Sequence, residues 1–250
     1  MIQIKSVEEQ EIMRQGGKVL AKILTELKEA VKPGISKTEI DNLSMSLTKK
    51  YGVKPSFKNY NGYPNSVCIT TNDAVVHGLA TQETFKEGDL VTLDMGVYYK
   101  NFHTDSAVSF VCGGKPDADK EKLIKTCEQS LYSGIELIKN GVHLGDVSAK
   151  IQQIAEKHGY GVIRMLVGHG IGRDLHEDPH IPNYGHSGSG AILKTGMTLA
   201  IEPMFIQDGT VDVILDDDGW TYRSLSGALT VHCEHTVLVT DDGYEILTQL

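Results

Sequence analysis

Residues 32–52, KPGISKTEIDNLSMSLTKKYG, can be laid without a gap on residues 139–159, KNGVHLGDVSAKIQQIAEKHG. Lys32 falls on Lys139, Gly34 on Gly141, Ile35 on Val142 and Glu39 on Asp146, and the match runs on through Leu47/Ile154 to Gly52/Gly159. Each copy reads as a turn followed by an amphipathic helix that a glycine closes. Two helix–turn pieces resemble each other often by chance, so this match alone is weak. A second one strengthens it: Lys86-Glu87-Gly88 through Asp94 lies on Lys194-Thr195-Gly196 through Glu202, offset by one position more and ending acid on acid. The pattern predicts a single domain over residues 1–250 made of two related halves, roughly 1–115 and 116–250, with a pseudo-twofold axis between them. Each half would carry a helix pair and a strand group. Equivalent acids would then gather at the centre, where the two strand groups meet.

The flanking sequence supplies those elements. Ser6 with Glu9 is a capping box that opens a long helix, with Val7, Ile12, Met13, Val19, Leu20, Ile23 and Leu27 as core positions and Lys32-Pro33-Gly34 as its end. Ser36 with Glu39 opens a second helix that closes at Tyr51-Gly52. Short β-type runs follow: VCITT from Val67, LVTLDMGVYY from Leu90 and AVSFVC from Ala107, with residues 72–78 reading as a loop that carries His77. Helical texture returns over 119–139 and 146–158. The last part is β-rich, with MTLAIEPM, an acidic DDDG turn, ALTVHCEHTVLVT and YEILTQL.

Bulk properties narrow the function classes. A net charge of −9 argues against nucleic acid as a specific partner, since phosphate contacts need clustered Lys and Arg. No apolar run approaches a membrane span, and the start of the chain lacks a basic-then-apolar signal pattern, so a cytoplasmic location is expected. Cys68, Cys112, Cys127 and Cys233 are far apart and suggest neither a disulfide framework nor a zinc knuckle.

The chemistry concentrates in a few places. Val167 to Tyr184, VGHGIGRDLHEDPHIPNY, sets His169 and His176 seven residues apart among Gly168, Gly170 and Gly172. The glycines are expected to let the backbone run close to a bound group. Asp94, Asp105, Glu202 and Glu234 each sit within strand-like apolar sequence, and the turn at Lys100-Asn101 would fold Asp105 back towards Asp94. Singly, each reads as a surface acid or one paired with arginine. Only Arg14, Arg164, Arg173 and Arg223 exist, however, and four inward acids need more counter-charge than that. With His169 they form an oxygen-rich set bearing four negative charges, suited to two divalent ions among Mn, Fe, Co or Zn. Such a pair can activate a water and polarise a carbonyl.

NDAVVHG, LDMGVYYKNFHTDSA, GHGIGRDLHEDP, TLAIEPM and CEHTVLVT together resemble, in order and spacing, the motifs of the type I methionine aminopeptidases, over residues 5–248. The resemblance implies an α/β (α+β) pita-bread fold, two pseudo-twofold-related halves whose helices cover a central antiparallel sheet. It implies that Asp94, Asp105, His169, Glu202 and Glu234 are the metal ligands, with Asp105 and Glu234 shared between two metals. Asp94 would chelate one metal, and His169 and Glu202 the other. His77 and His176 would contact substrate, His176 at the developing oxyanion and His77 at the scissile amide, with Glu202 as proton shuttle. Phe57, Tyr60, Tyr63, Cys68, Leu175 and Trp220 would line the methionine pocket, and a monovalent cation would lie near Asn72 and Thr230. The implied activity is removal of the initiator methionine from nascent chains and peptides whose second residue is small. The protein would be a monomer, with the ribosome as a partner. No Cys/His-rich extension precedes the domain, and no helical insertion fits between Glu202 and Glu234, which matches the minimal type I pattern. The rival readings are an Xaa-Pro peptidase of the same fold and a non-catalytic binding homologue.

Overall fold

A computed structural model of the chain describes residues 2–114 and 117–250. The expected boundary between the halves, at 115–116, lies outside the described residues. Four helices are present among these: α1 Val7–Ala30, α2 Lys37–Tyr51, α3 Ala118–Ile135 and α4 Leu144–Lys157. The strands of the first half are β1 Lys54–Pro55, β2 Cys68–Thr71, β3 Ala74–Val76, β4 Leu90–Tyr99 and β5 Phe102–Val111. In the second half they begin with β6 Gly161–Val162, β7 Gly168–Gly170, β8 Glu177–Ile181, β9 Thr198–Ile201 and β10 Met204–Ile206. β11 Val213–Leu215, β12 Tyr222–Ser224, β13 Thr230–His232, β14 Glu234–Val239 and β15 Tyr244–Ile246 complete the set.

Both capping boxes form. Glu9 N–H donates to Ser6 Oγ while the Ser6 N–H donates to the Glu9 carboxylate, and Ser36 with Glu39 repeats the exchange. Val7 is not core: it is 72% exposed. It precedes the buried Met13 by six residues, which places it about 120° round the helix from the apolar stripe.

The main sheet runs β1–β4–β5–β14–β9–β7–β8, with β2 also on β4 and β15 on β14, and its pairings are antiparallel. Side chains alternate between its two faces, and this alternation organises the molecule. On β4 the odd positions Val91, Leu93, Met95 and Val97 pack with α1 and α2. On β9 and β14, Leu199, Ile201, Val237 and Val239 pack with α3 and α4. The helices thus cover one face, and the intervening positions of the same strands project from the other.

Two expectations change. Residues 72–78 are not wholly loop: β3 pairs with β12, a partner that lies some 150 residues later and leaves no local trace. The run TVHCEHTVLV is two strands, because β13 pairs with β10 while β14 enters the main sheet between β5 and β9. Cys233, at the break, donates its N–H to Pro203 O.

The matched stretches close with matching bonds. Gly34 N–H donates to Phe85 O and Phe85 N–H to Ile35 O; Gly141 N–H donates to Leu193 O and Leu193 N–H to Val142 O. Gly88 bonds Cys112 O as Gly196 bonds Val239 O.

Candidate metal centre

Strand register brings the acids together. Asp94 on β4 pairs with Ala107 on β5, and Glu234 on β14 pairs with the same Ala107 from its other side. Asp105 lies two residues before Ala107 and so shares its face. His169 on β7 pairs with Ala200 on β9, and Glu202 lies two residues beyond Ala200. All five therefore project from the face opposite the helices. Ligand-type atoms of Asp105, His169 and Glu234, each residue buried, lie within 4.8 Å of one another. Glu202 Oε1 is 3.5 Å from His169 Nε2.

The set carries uncompensated charge. Asp94 Oδ1 and Glu234 Oε1 are buried without a hydrogen-bond partner. Burial, then repulsion from Asp105, raises the Asp94 carboxyl well above its usual range, and burial lifts Asp105 to about 7. Glu202 and Glu234 are raised by burial and by the other acids. The arginines are engaged elsewhere: Arg14 with Glu245, Arg173 with Glu9, Arg223 with Asp73 and Asp216, and Arg164 over the Tyr184 ring. Orphaned buried oxygens, mutual repulsion and one imidazole are what a divalent-metal site looks like without its counter-charge.

Neighbouring groups hold the ligand atoms in place. His169 Nδ1 is 2.9 Å from Gly170 O; the proton that bond requires on Nδ1 leaves the Nε2 lone pair free. Thr236 Oγ1 donates to Asp105 O and accepts from Asp105 N–H, and Ser106 Oγ donates to Glu234 O, so β5 and β14 are pinned at the register that matters. Gly168 and Gly170 serve differently from expectation. Their φ angles are not in the left-handed region. A Cβ at Gly168 would lie 2.4 Å from Ala200 O, and one at Gly170 2.1 Å from Asp178 O. The close approach is to the flanking strands β9 and β8.

A cavity of about 770 Å³ opens above this face, and it is lined by all of the sequence-expected site residues: the four acids and the His169 imidazole, His77, His176 and the six pocket positions. The His176 ring meets the His169 ring edge-on at 4.4 Å, and the Tyr60 hydroxyl is 2.9 Å from His176 Nδ1. His77 has a left-handed φ of 58° and stands edge-on to Tyr222. Phe57, Tyr63, Cys68 and Leu175 are buried in one cluster, with Tyr60 and Trp220 at its margin. Tyr63 donates to Gly78 O and packs edge-on to Trp220. Burial raises the Cys68 thiol well above its ordinary range, so it presents a neutral sulfur. A buried ion pair, Lys5 with Glu177, ties the N-terminal segment to the residue after His176. Thr230 N–H and Oγ1 both bond Asn72 O.

Further lining residues escaped the sequence reading, among them Val76, Met204 and His232. Alternation carried a signal for the last, since His232 has the same parity as Glu234 in TVHCEHT. Burial lowers its pKa to about 3, so the ring is neutral.

A buried carboxylate–imidazole set on one face of a helix-covered antiparallel sheet defines a metal-dependent hydrolase, and the chain belongs to metallopeptidase family M24, whose model matches residues 11–241. Within that class its relatives over full length are methionine aminopeptidases. The enzyme of Clostridium perfringens is 44% identical over 248 residues, 99% of each chain. The crystal structure of the Thermotoga maritima methionine aminopeptidase matches with a TM-score of 0.97 at 44% identity, covering 100% of both chains. The prolidase from Pyrococcus furiosus matches less well, at a TM-score of 0.80 and 25% identity, and this chain covers 65% of it. The curled antiparallel sheet with its four helices is the pita-bread fold of these neighbours. The family is metal-dependent, and the buried Asp105–His169–Glu234 cluster answers to that requirement.

Proposed function

We propose that this chain removes the initiator methionine from peptides and nascent chains whose second residue is small, through Asp94, Asp105, His169, Glu202 and Glu234 as ligands of two divalent ions. The observation that carries this reading is the pair of orphaned oxygens, Asp94 Oδ1 and Glu234 Oε1, within a group of four repelling acids. Two dications among Mn, Fe, Co or Zn balance four carboxylates, and when bound they polarise the scissile carbonyl and acidify water. Strand order supports the division of labour: Asp94 on β4 at one end, Asp105 and Glu234 on β5 and β14 in the middle, Glu202 just past the end of β9 and His169 on β7 at the other.

The chain's own groups then do the rest. Tyr60 Oη lies 2.9 Å from His176 Nδ1; with the hydroxyl as donor, the ring carries its proton on Nε2, where it would stabilise the developing oxyanion. His77 contacts the scissile amide and assists the departing nitrogen. Glu202, raised by burial and by Asp94 and Asp105, accepts the proton of the attacking water and passes it to the amine. The first side chain enters the Phe57, Tyr60, Tyr63, Cys68, Leu175 and Trp220 pocket, whose aromatic edges and neutral sulfur suit a thioether. The reading includes a single catalytic domain over residues 1–250, its two halves joined as the repeat predicts. It also includes a monovalent cation near Asn72 and Thr230, a monomeric state, a cytoplasmic location and access to chains leaving the ribosome. No helix among the described residues is long and apolar enough to cross a membrane.

The test is a peptide panel. Protein loaded with Mn, Co or Fe should release Met from Met-Gly-type peptides and leave Met-Ile-type and Xaa-Pro peptides intact. Cleavage confined to Xaa-Pro bonds would favour the prolidase-like reading, and no cleavage at all a binding homologue.

A further inference from the structure

His232 is a buried imidazole with nothing to bond. It is 2% exposed, lines the cavity, and neither Nδ1 nor Nε2 has a hydrogen-bond partner. Its backbone, by contrast, is held twice by a single hydroxyl: Ser109 Oγ donates to His232 O at 2.7 Å and accepts from His232 N–H at 3.2 Å. Ser109 is itself bonded to Thr92 at 2.7 Å, and β13 pairs His232 with Met204. Bare polar atoms in the interior are costly. A ring fixed this firmly with both nitrogens bare is placed to meet something inside the cavity.

Glu202 is what it meets. The two oxygens of that carboxylate face different imidazoles, with Oε1 3.5 Å from His169 Nε2 and Oε2 3.8 Å from His232 Nε2. The second distance is a small torsion of Glu202 short of a hydrogen bond. Among the described residues, the ligand atoms gathered within 4.8 Å of one another belong to Asp105, His169 and Glu234, and His232 is not one of them. Among the described residues, Glu202 is the one acid within ion-pair distance of the ring.

We propose that His232 is a positioning residue for Glu202: its Nε2–H donates to Oε2, fixing which carboxylate oxygen turns towards the ligand set. This rests on the reading of Glu202 as a ligand. An outer partner of this kind sets ligand orientation and metal affinity without touching the metal.

Three variants test it: H232L removes the donor, H232Q returns an amide N–H near the place of Nε2, and H232N returns one near Nδ1. Each is compared with wild type for Co(II) affinity by calorimetry, for the visible Co(II) absorption bands, and for kcat and KM on a Met-Gly-type peptide. Thermal melts of the metal-free proteins control for folding. H232L and H232N should bind Co(II) about 10–100-fold more weakly with altered bands and a lower kcat, while H232Q stays within about threefold of wild type. H232L matching wild type in affinity and bands overturns the proposal, and so does a folded H232Q no better than H232L. A wild type that binds no Co(II) removes the metal-site reading and this proposal together. A wild type that binds it while all three variants follow suit removes this proposal alone.

Discussion

Replacing Asp105 with asparagine (D105N) should make the metal-free protein more stable and the metal-loaded protein less so. Burial lifts the Asp105 pKa from 3.8 to about 7. Because the folded-state value is the higher one, the cost is absent below the unfolded pKa. It grows as pH rises through the window between the two values and is complete above about 7. At pH 8 the ionised carboxylate costs the fold on the order of 4 kcal/mol, falling to about 1–2 kcal/mol at pH 5. His169 and His232, lowered to about 3 by burial, are neutral at pH 8 in the folded chain, and unfolded histidine is neutral there too, so they leave the comparison untouched. Asparagine keeps an oxygen for the Ser106 N–H bond and removes the charge. For a chain of this size the gain corresponds to a Tm rise of about 8–16 °C at pH 8. Relief of the repulsion on Asp94, Glu202 and Glu234 adds to it. The assay is differential scanning calorimetry of chelator-treated wild type and D105N at pH 5 and pH 8, repeated with Co(II). Wild type should gain strongly from Co(II) and the variant weakly. A metal-free D105N that melts below wild type at pH 8 would refute the reasoning, because the acids would then not be in conflict. An equal Co(II) gain in both proteins would show that Asp105 holds no metal.

Glu202→Gln should lower kcat by about 10²–10⁴-fold while the protein stays folded, as removal of a proton-transfer group does; retained turnover would take Glu202 out of the mechanism. Gly168→Ala places a Cβ 2.4 Å from Ala200 O and must push β7 from β9. It should cost about 1–3 kcal/mol in urea denaturation and weaken Co(II) binding through displaced His169; a variant equal to wild type on both counts would mean that β7 has slack.

The sequence determined the elements wherever the signal is local. Ser6/Glu9 and Ser36/Glu39 satisfy helix ends from within four residues, and both boxes form as read. The alternating VTLDMGV carries its own two faces, apolar towards the helices and Asp94 away from them. The repeated turns close with the same bonds in both halves, and the four inward acids were legible as carboxylates placed where apolar sequence would not tolerate them, with His169 marked by its glycine-rich stretch. The tertiary structure decided everything that depends on a distant partner. It split TVHCEHTVLV so that β14 slots between β5 and β9, and it assigned residues 74–76 to a strand with β12. It also changed what the GHG glycines do, from approaching a bound group to approaching Ala200 and Asp178. His232 became a functional candidate only when its nitrogens proved bare and Glu202 proved near. The physical reason is that helix caps and strand parity are bonded or patterned within one segment. The meeting of Asp94, Ala107 and Glu234 in one row depends instead on register between strands that lie far apart in the chain, and groups such as Thr236 and Ser106 set that register only once the strands are side by side.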